Sequence, residues 1–221
     1  MANNHAKGLL YILASPGKLV SPQELYAWFE GEWTRNIPNV LNAIRYEAVD
    51  NQKPEFLAVY ELANPAIVRL SQLEAEAASS FETVDMRIYD LFSEKTSPKY
   101  ASASNNRIFR TLALQPGPDL SEKDYNDWYE QEHVPLLSVV PGWLKSTRWT
   151  LREAKAIVYG EEQKDKRLSQ YFAVHEWESI ESLSLPEFKH ATSTPWRDQI
   201  LPKIDRTVDE RRNFKPQKQT F

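Results

Sequence analysis

The chain repeats itself. Residues 16–33 fall on 116–133 without a gap, so that Pro16, Gly17, Ser21, Trp28, Glu30 and Glu32 meet Pro116, Gly117, Ser121, Trp128, Glu130 and Glu132. Phe29 meets Tyr129, and Glu24 meets Asp124. After a three-residue gap Pro38 and Arg45 match Pro141 and Arg148, and FLAVYEL at 56–62 matches YFAVHEW at 171–177. Self-similarity at a period near half the chain means duplication, and it restricts the fold to two units with one order of elements. The halves differ in chemistry. His133 stands where the first half has Trp33, and His175 stands where it has Tyr60.

Each half reads as β-α-β-β-α-β. In the first, residues 8–14 form a short apolar run, read as a buried strand. Ser15-Pro16-Gly17 turns the chain, and Ser21-Pro22 starts a helix to about Trp33, with serine as cap and proline at the first position. Strands follow over 40–49 and 55–62. Asn64-Pro65 opens a second helix of about 15 residues, apolar at Ile67, Leu70, Leu73 and Ala77, and 81–91 closes the half as a strand. Residues 93–106 are polar, small and aperiodic and read as a linker. The expected organisation is therefore 1–92, a 93–106 linker, and 107–221. The second half has strands over 107–114, 143–152, 169–177 and 203–212, and short helical pieces starting at Pro186 and Thr194-Pro195. An extra segment, 153–168, rich in Glu, Lys and Asp, reads as a long hairpin, a mobile flap or a solvated loop.

The helix expected over 121–137 carries most of the chemistry. Tyr125, Tyr129 and His133 recur every four residues and share a face, with Trp128 and Glu132 beside them. Ser121 caps the start, and Pro135 followed by Pro141-Gly142 closes the segment. His133 is thus expected in the last turn, where the helix dipole favours a protonated imidazole.

Composition removes several functions. With 221 residues and 41% hydrophobic content, the chain can bury a substantial core. A net charge of −4 argues against a general polyanion binder, so no nucleic acid partner is expected. The absence of cysteine removes disulfides, thiolate metal sites and a cysteine nucleophile. No apolar run approaches a membrane span, so the expectation is a soluble cytoplasmic protein with no membrane partner. His5, His133, His175 and His190 have no zinc- or iron-binding spacing, so neither metal nor cofactor is expected. Gly-x-Ser-x-Gly is absent as well.

The pattern W-Y-x-x-E-H-V-P at Trp128–Pro135, followed by P-G-W at 141–143 and by Arg148, resembles the EthD-like branch of the dimeric α+β barrel superfamily. The likeness covers 116–149 well, and the repeat extends it to most of the chain. It departs from the pattern at Trp33. The resemblance implies two ferredoxin-like repeats packed as a pseudo-dimeric α+β barrel, as a monomeric pseudo-dimer or a homodimer. It also implies a place among the cofactor-free cyclases, decarboxylases, dehydratases and oxygenases of secondary metabolism, a superfamily that also holds haem enzymes. The fold does not choose among them.

The residues support such a pocket independently. Strand 169–177 is apolar on both faces, with Tyr171, Ala173, His175 and Trp177 on one of them. An apolar pocket with a few polar groups suits a small-molecule substrate. The candidate catalytic residues are His133, His175 and Glu132. The candidate substrate-binding residues are Tyr129, Tyr171, Arg148, Arg110, Tyr60 and Trp128. Arg148 and its counterpart Arg45 can equally be paired structural charges, and His175 can be a hydrogen-bonded core histidine. The expected function is general acid–base chemistry on a small aromatic or polyketide-like carbonyl compound. The alternatives are ligand binding without chemistry, a tandem RNA-binding module that the charge and the missing motif residues disfavour, and a haem enzyme with a histidine ligand. Trp33 fills the space at the matching place in the first half, so one working pocket per chain is expected.

Overall fold

The structure is a computed structural model, and it describes residues 7–18, 20–31, 37–71, 81–100 and 107–217. The chain divides into two units: one of residues 1–91, 150–166 and 217–221, the other of residues 92–149 and 167–216.

Unit 1 is built from β1 (Gly8–Ser15), α1 (Pro22–Phe29), β2 (Val40–Ala48), β3 (Phe56–Leu62) and the first part of β4 (Thr83–Thr96). Its strands lie in the order β4-β1-β3-β2, with β1 antiparallel to β3 and β4 and β2 antiparallel to β3. The expected serine cap is present. The Ser21 hydroxyl accepts from the Glu24 N–H, and the Glu24 carboxylate accepts from the Ser21 N–H, which closes a capping box. Leu25 and Phe29 of α1 bury themselves with Leu10, Ala58, Tyr60 and Met86 in the core of this unit. Where a 15-residue helix was expected after Asn64, the chain first makes a single 3-10 turn, Pro65–Ile67, capped by the Asn64 side chain. Helix starts again at Leu70, and Leu73 and Ala77 lie outside the described residues, as do Glu32 and Trp33.

Unit 2 repeats the plan with β5 (Ile108–Pro116), α2 (Glu122–Trp128), a wide helical turn (Tyr129–His133), α3 (Val134–Leu137) and the start of β6 (Trp143–Val158). After β8 (Tyr171–Trp177) come α4 (Pro186–Ala191), α5 (Pro195–Ile200) and β9 (Ile204–Pro216). The strand order is β9-β5-β8-β6, the counterpart of the order in unit 1. Arg110 lies opposite His175 in the β5–β8 pair, as Leu10 lies opposite Tyr60 in the β1–β3 pair. β8 is buried at every residue, as its two apolar faces predict.

One expectation changes, and another is narrowed to one of its alternatives. β4 continues through Thr96, so the first residues of the stretch read as linker are strand, while 101–106 lie outside the described residues. The extra segment begins as a hairpin. β6 runs on to Val158 and returns through Tyr159-Gly160, both at positive φ, into β7 (Glu161–Glu162). Two consecutive left-handed residues match the twist of paired strands, which is why this turn closes a hairpin.

Gly142 connects α3 to β6 at φ +83°, and its carbonyl accepts from the Glu178 N–H at 2.7 Å. A Cβ there would overlap the Ser182 hydroxyl. Gly142→Ala is therefore expected to lower unfolding free energy by about 1–2 kcal/mol, the cost of a left-handed L-residue. Urea denaturation of the two proteins measures it as a lower midpoint at unchanged slope.

Candidate functional site

The helix of unit 2 does not keep the α period. The Val134 N–H bonds to the Tyr129 carbonyl, five residues back. Pro135 explains the local widening. It has no N–H to give, and its ring would press on the carbonyl four residues earlier in an α ladder. The wide turn lets the chain pass Pro135 and continue as α3 to Leu137, the end expected from the sequence. One consequence is that residues five apart stack. The rings of Trp128 and His133 lie 4.7 Å apart and nearly parallel, at 20°. Tyr129, four residues from His133, meets it edge-on instead, at 5.3 Å.

His133 is buried, and its Nδ1 lies 3.3 Å from the Ala191 carbonyl. Ala191 ends α4, where carbonyls lack helical partners. A carbonyl can only accept, so Nδ1 carries the proton and Nε2 keeps the lone pair. Burial pushes His133 down from 6.5 to about 4, and Arg197 and Arg148 push the same way, while the Ala191 bond resists. The expected imidazolium at a helix end is thus corrected. His133 lies within the helical run, and its ring is neutral at pH 7.

His175 is held in the opposite sense. The Trp143 indole N–H donates to the Ser146 hydroxyl oxygen at 2.9 Å, and that oxygen lies 2.8 Å from His175 Nδ1. The arrangement leaving fewest groups unpaired has the Ser146 proton on the bond to Nδ1, which puts the ring proton of His175 on Nε2. That Nε2 is buried and has no partner among the described residues. Burial is the main cause that holds His175 well below its usual range, with His133, Arg110 and Arg148 adding to it. The two rings lie 6.1 Å apart at 84°.

Both line a cavity of about 190 Å3. Leu112, Leu137, Trp177 and Phe188 supply its apolar walls, and Arg110 lines it too. Trp128 and Tyr129 complete the wall behind His133. The other expected residues take different places. Arg148 bonds Glu130 at 2.8 Å and Asn126 at 2.6 Å and lies 4.3 Å above the Tyr129 ring. It lines a second cavity, of about 180 Å3, with Glu130, Pro135 and Ser146. Glu132 accepts from the Thr194 hydroxyl at 2.5 Å, and Thr194 caps α5, so this carboxylate ties the wide turn to α5. Tyr171 packs its ring 5.1 Å from Tyr125 in the unit 2 core. Tyr60 belongs to the core of unit 1 and donates to the Phe29 carbonyl at 2.9 Å.

Three participants were missed. Ser146 links Trp143 to His175, and in the sequence that link has no signal beyond the spacing of three between Trp143 and Ser146. Arg197 and Arg211 also line the cavity. Arg211 shares a face with Asn213 on β9, opposite Arg110, a relation that needs the strand register. Among the described residues there is no group of three or more His, Cys, Asp or Glu side chains that could hold a metal. No helix among them is long and apolar enough to cross a membrane.

No protein-family model matches the sequence, and no curated protein matches it. Solved structures do resemble it over nearly its whole length. An anthrone oxidase-like protein superposes with a TM-score of 0.60 at 10% identity, covering 98% of this chain and 93% of that one. A monooxygenase-like protein from Listeria innocua gives 0.53 at 11% identity, with 97% and 96% covered. An uncharacterised ferredoxin-fold protein from Listeria monocytogenes, related to antibiotic biosynthesis monooxygenases, gives 0.50 at 10% identity, with 98% of each chain covered. The fold is the expected one. It is mixed α+β, of the ferredoxin-like kind.

The depressed His133 makes stability depend on pH with a definite sign. The unfolded chain takes up a proton near 6.5 that the folded ring refuses until about 4. This contribution is therefore intact above 6.5 and is lost as pH falls through that window. From pH 7 to pH 5 it removes about 2 kcal/mol, and His175 acts in the same direction. Urea unfolding at the two pH values is expected to show this loss, and His133→Gln to show a shallower one.

Proposed function

We propose that this chain is a cofactor-independent enzyme acting on a small aromatic or polyketide-like carbonyl compound by general acid–base chemistry. The observation that carries the reading is two neutral histidines in opposite tautomers on one apolar-walled cavity. His133 Nε2 is the base. It takes a proton from carbon next to the carbonyl, or from a phenol, and becomes imidazolium. His175 Nε2–H donates to the oxygen on which negative charge develops. Return of the proton from His133 to another atom gives isomerisation. Its delivery to a departing hydroxyl gives dehydration, and attack of the enolate carbon on a second carbonyl gives cyclisation. Decarboxylation fits the same donor, which would stabilise the enolate left when carbon dioxide departs.

The remaining residues position this pair. Trp128 and Tyr129 fix the His133 ring, Glu132 ties the wide turn to α5, and Arg110 supplies charge at the wall. Arg148 holds the helix to β6, and Tyr171 packs beneath it. We assign the chain to the EthD-like branch, duplicated within one sequence. The motif from Trp128 to Pro135 supports this, as do the matching bridges Arg45–Glu30 and Arg148–Glu130, each 2.8 Å. In unit 1 the places of Arg110, Tyr129 and His175 hold Leu10, Phe29 and Tyr60, all core residues. One pocket per chain is the reading this supports.

The test is turnover on a panel of aromatic and polyketide-like carbonyl compounds. His133→Gln is expected to lower kcat/KM on the order of 100-fold or more while substrate still binds. The wild-type rate is expected to hold down to about pH 5 and to fall as His133 protonates near 4. Near-normal turnover by His133→Gln would overturn the assignment. Binding without turnover across the panel would leave a ligand-binding protein.

A further inference from the structure

The polar side of the histidine cavity is cationic. Arg110 from β5, Arg197 from α5 and Arg211 from β9 all line it, and among the described residues no Asp or Glu does. Arg110 and Arg211 stand on one face of the β5–β9 ladder, because Arg110 pairs with Asn213 and Leu112 with Arg211. Their partners differ. Arg110 donates to the neutral Asn213 amide oxygen at 2.8 Å. Arg211 is paired with Asp209 through two hydrogen bonds of 3.3 Å, a carboxylate that Arg206 also holds at 2.7 Å. The Arg197 guanidinium makes no hydrogen bond or salt bridge among the described residues. Fixed cations in a cavity with apolar walls focus their field on whatever enters. Guanidinium forks match the planar geometry of a carboxylate.

We infer that this cavity takes an anionic ligand, an aromatic or polyketide-like molecule bearing a carboxylate that sits among Arg110, Arg197 and Arg211. The inference rests on the reading of this cavity as the active site and adds the charge of its substrate. A buried, unpartnered Nε2 on His175 points independently to a ligand that brings an acceptor. The cations also act on the base. Arg197 helps to hold His133 neutral and Arg110 does the same for His175. A carboxylate beside those arginines offsets their push, so the ligand's own charge strengthens His133 as a base.

The experiment is calorimetric titration of the full chain at pH 7 with benzoate and with its neutral isostere benzamide. Benzoate is expected to bind one per chain and roughly 10- to 100-fold more tightly than benzamide, with affinity falling as salt rises. Arg197→Gln is expected to weaken benzoate about 10-fold or more and to leave benzamide unchanged. Equal affinity for the two probes, no binding of either, or an unaltered benzoate affinity in Arg197→Gln overturns the inference. The two claims fail separately. Benzoate selectivity with full turnover in His133→Gln would sink the acid–base reading and keep the anion site. Loss of turnover in that variant without benzoate selectivity would do the reverse.

Discussion

The wide turn between Tyr129 and Val134 decides where the chemistry of unit 2 can be. Its hydrogen bond skips one residue more than an α-helix allows, because Pro135 cannot supply the next N–H. That extra residue carries His133 round the helix until its ring lies flat on Trp128 and its Nδ1 reaches the last carbonyl of α4. With Nδ1 committed, the lone pair has one place to be. Glu132, on the same turn, holds the cap of α5 and so sets the helix that brings Arg197 to the cavity. A regular helix through this stretch would change all of these relations together.

The second constraint is the conserved plan of the two units and the unequal use made of it. Both hold their first helix by an arginine on the following strand, Arg45 to Glu30 and Arg148 to Glu130. Both cap that helix with serine. At the core positions they diverge. Unit 1 puts Leu10 opposite Tyr60 and closes the space with a hydrogen bond to the Phe29 carbonyl. Unit 2 puts Arg110 opposite His175 and leaves a cavity. Burying two histidines near arginines costs stability unless the rings stay neutral, and both are shifted that way.

Much of this was legible in the sequence, because alternation and capping are local signals. Ser21 and Ser121 announced their helices, and the apolar run of β8 announced a strand covered on both faces. His133 and His175 stood out by contrast with Trp33 and Tyr60. The protonation state of His133 was not legible. It depends on burial and on a carbonyl 58 residues away in sequence. The wide turn was hidden because a 3.6-residue period was assumed up to Pro135. Arg197 and Arg211 were hidden because their approach to the cavity follows from packing and register. The helix expected after Asn64 starts only at Leu70, because the 3-10 turn Pro65–Ile67 ends in Val68 with extended backbone.

The central claim is that two neutral histidines face one cavity in opposite tautomers. A long-range proton–nitrogen correlation spectrum of the histidine rings at pH 7 reads this directly. The account predicts that His133 carries its proton on Nδ1 and His175 on Nε2, with neither ring an imidazolium. Two rings in the same tautomer, or a positively charged His133, would contradict it.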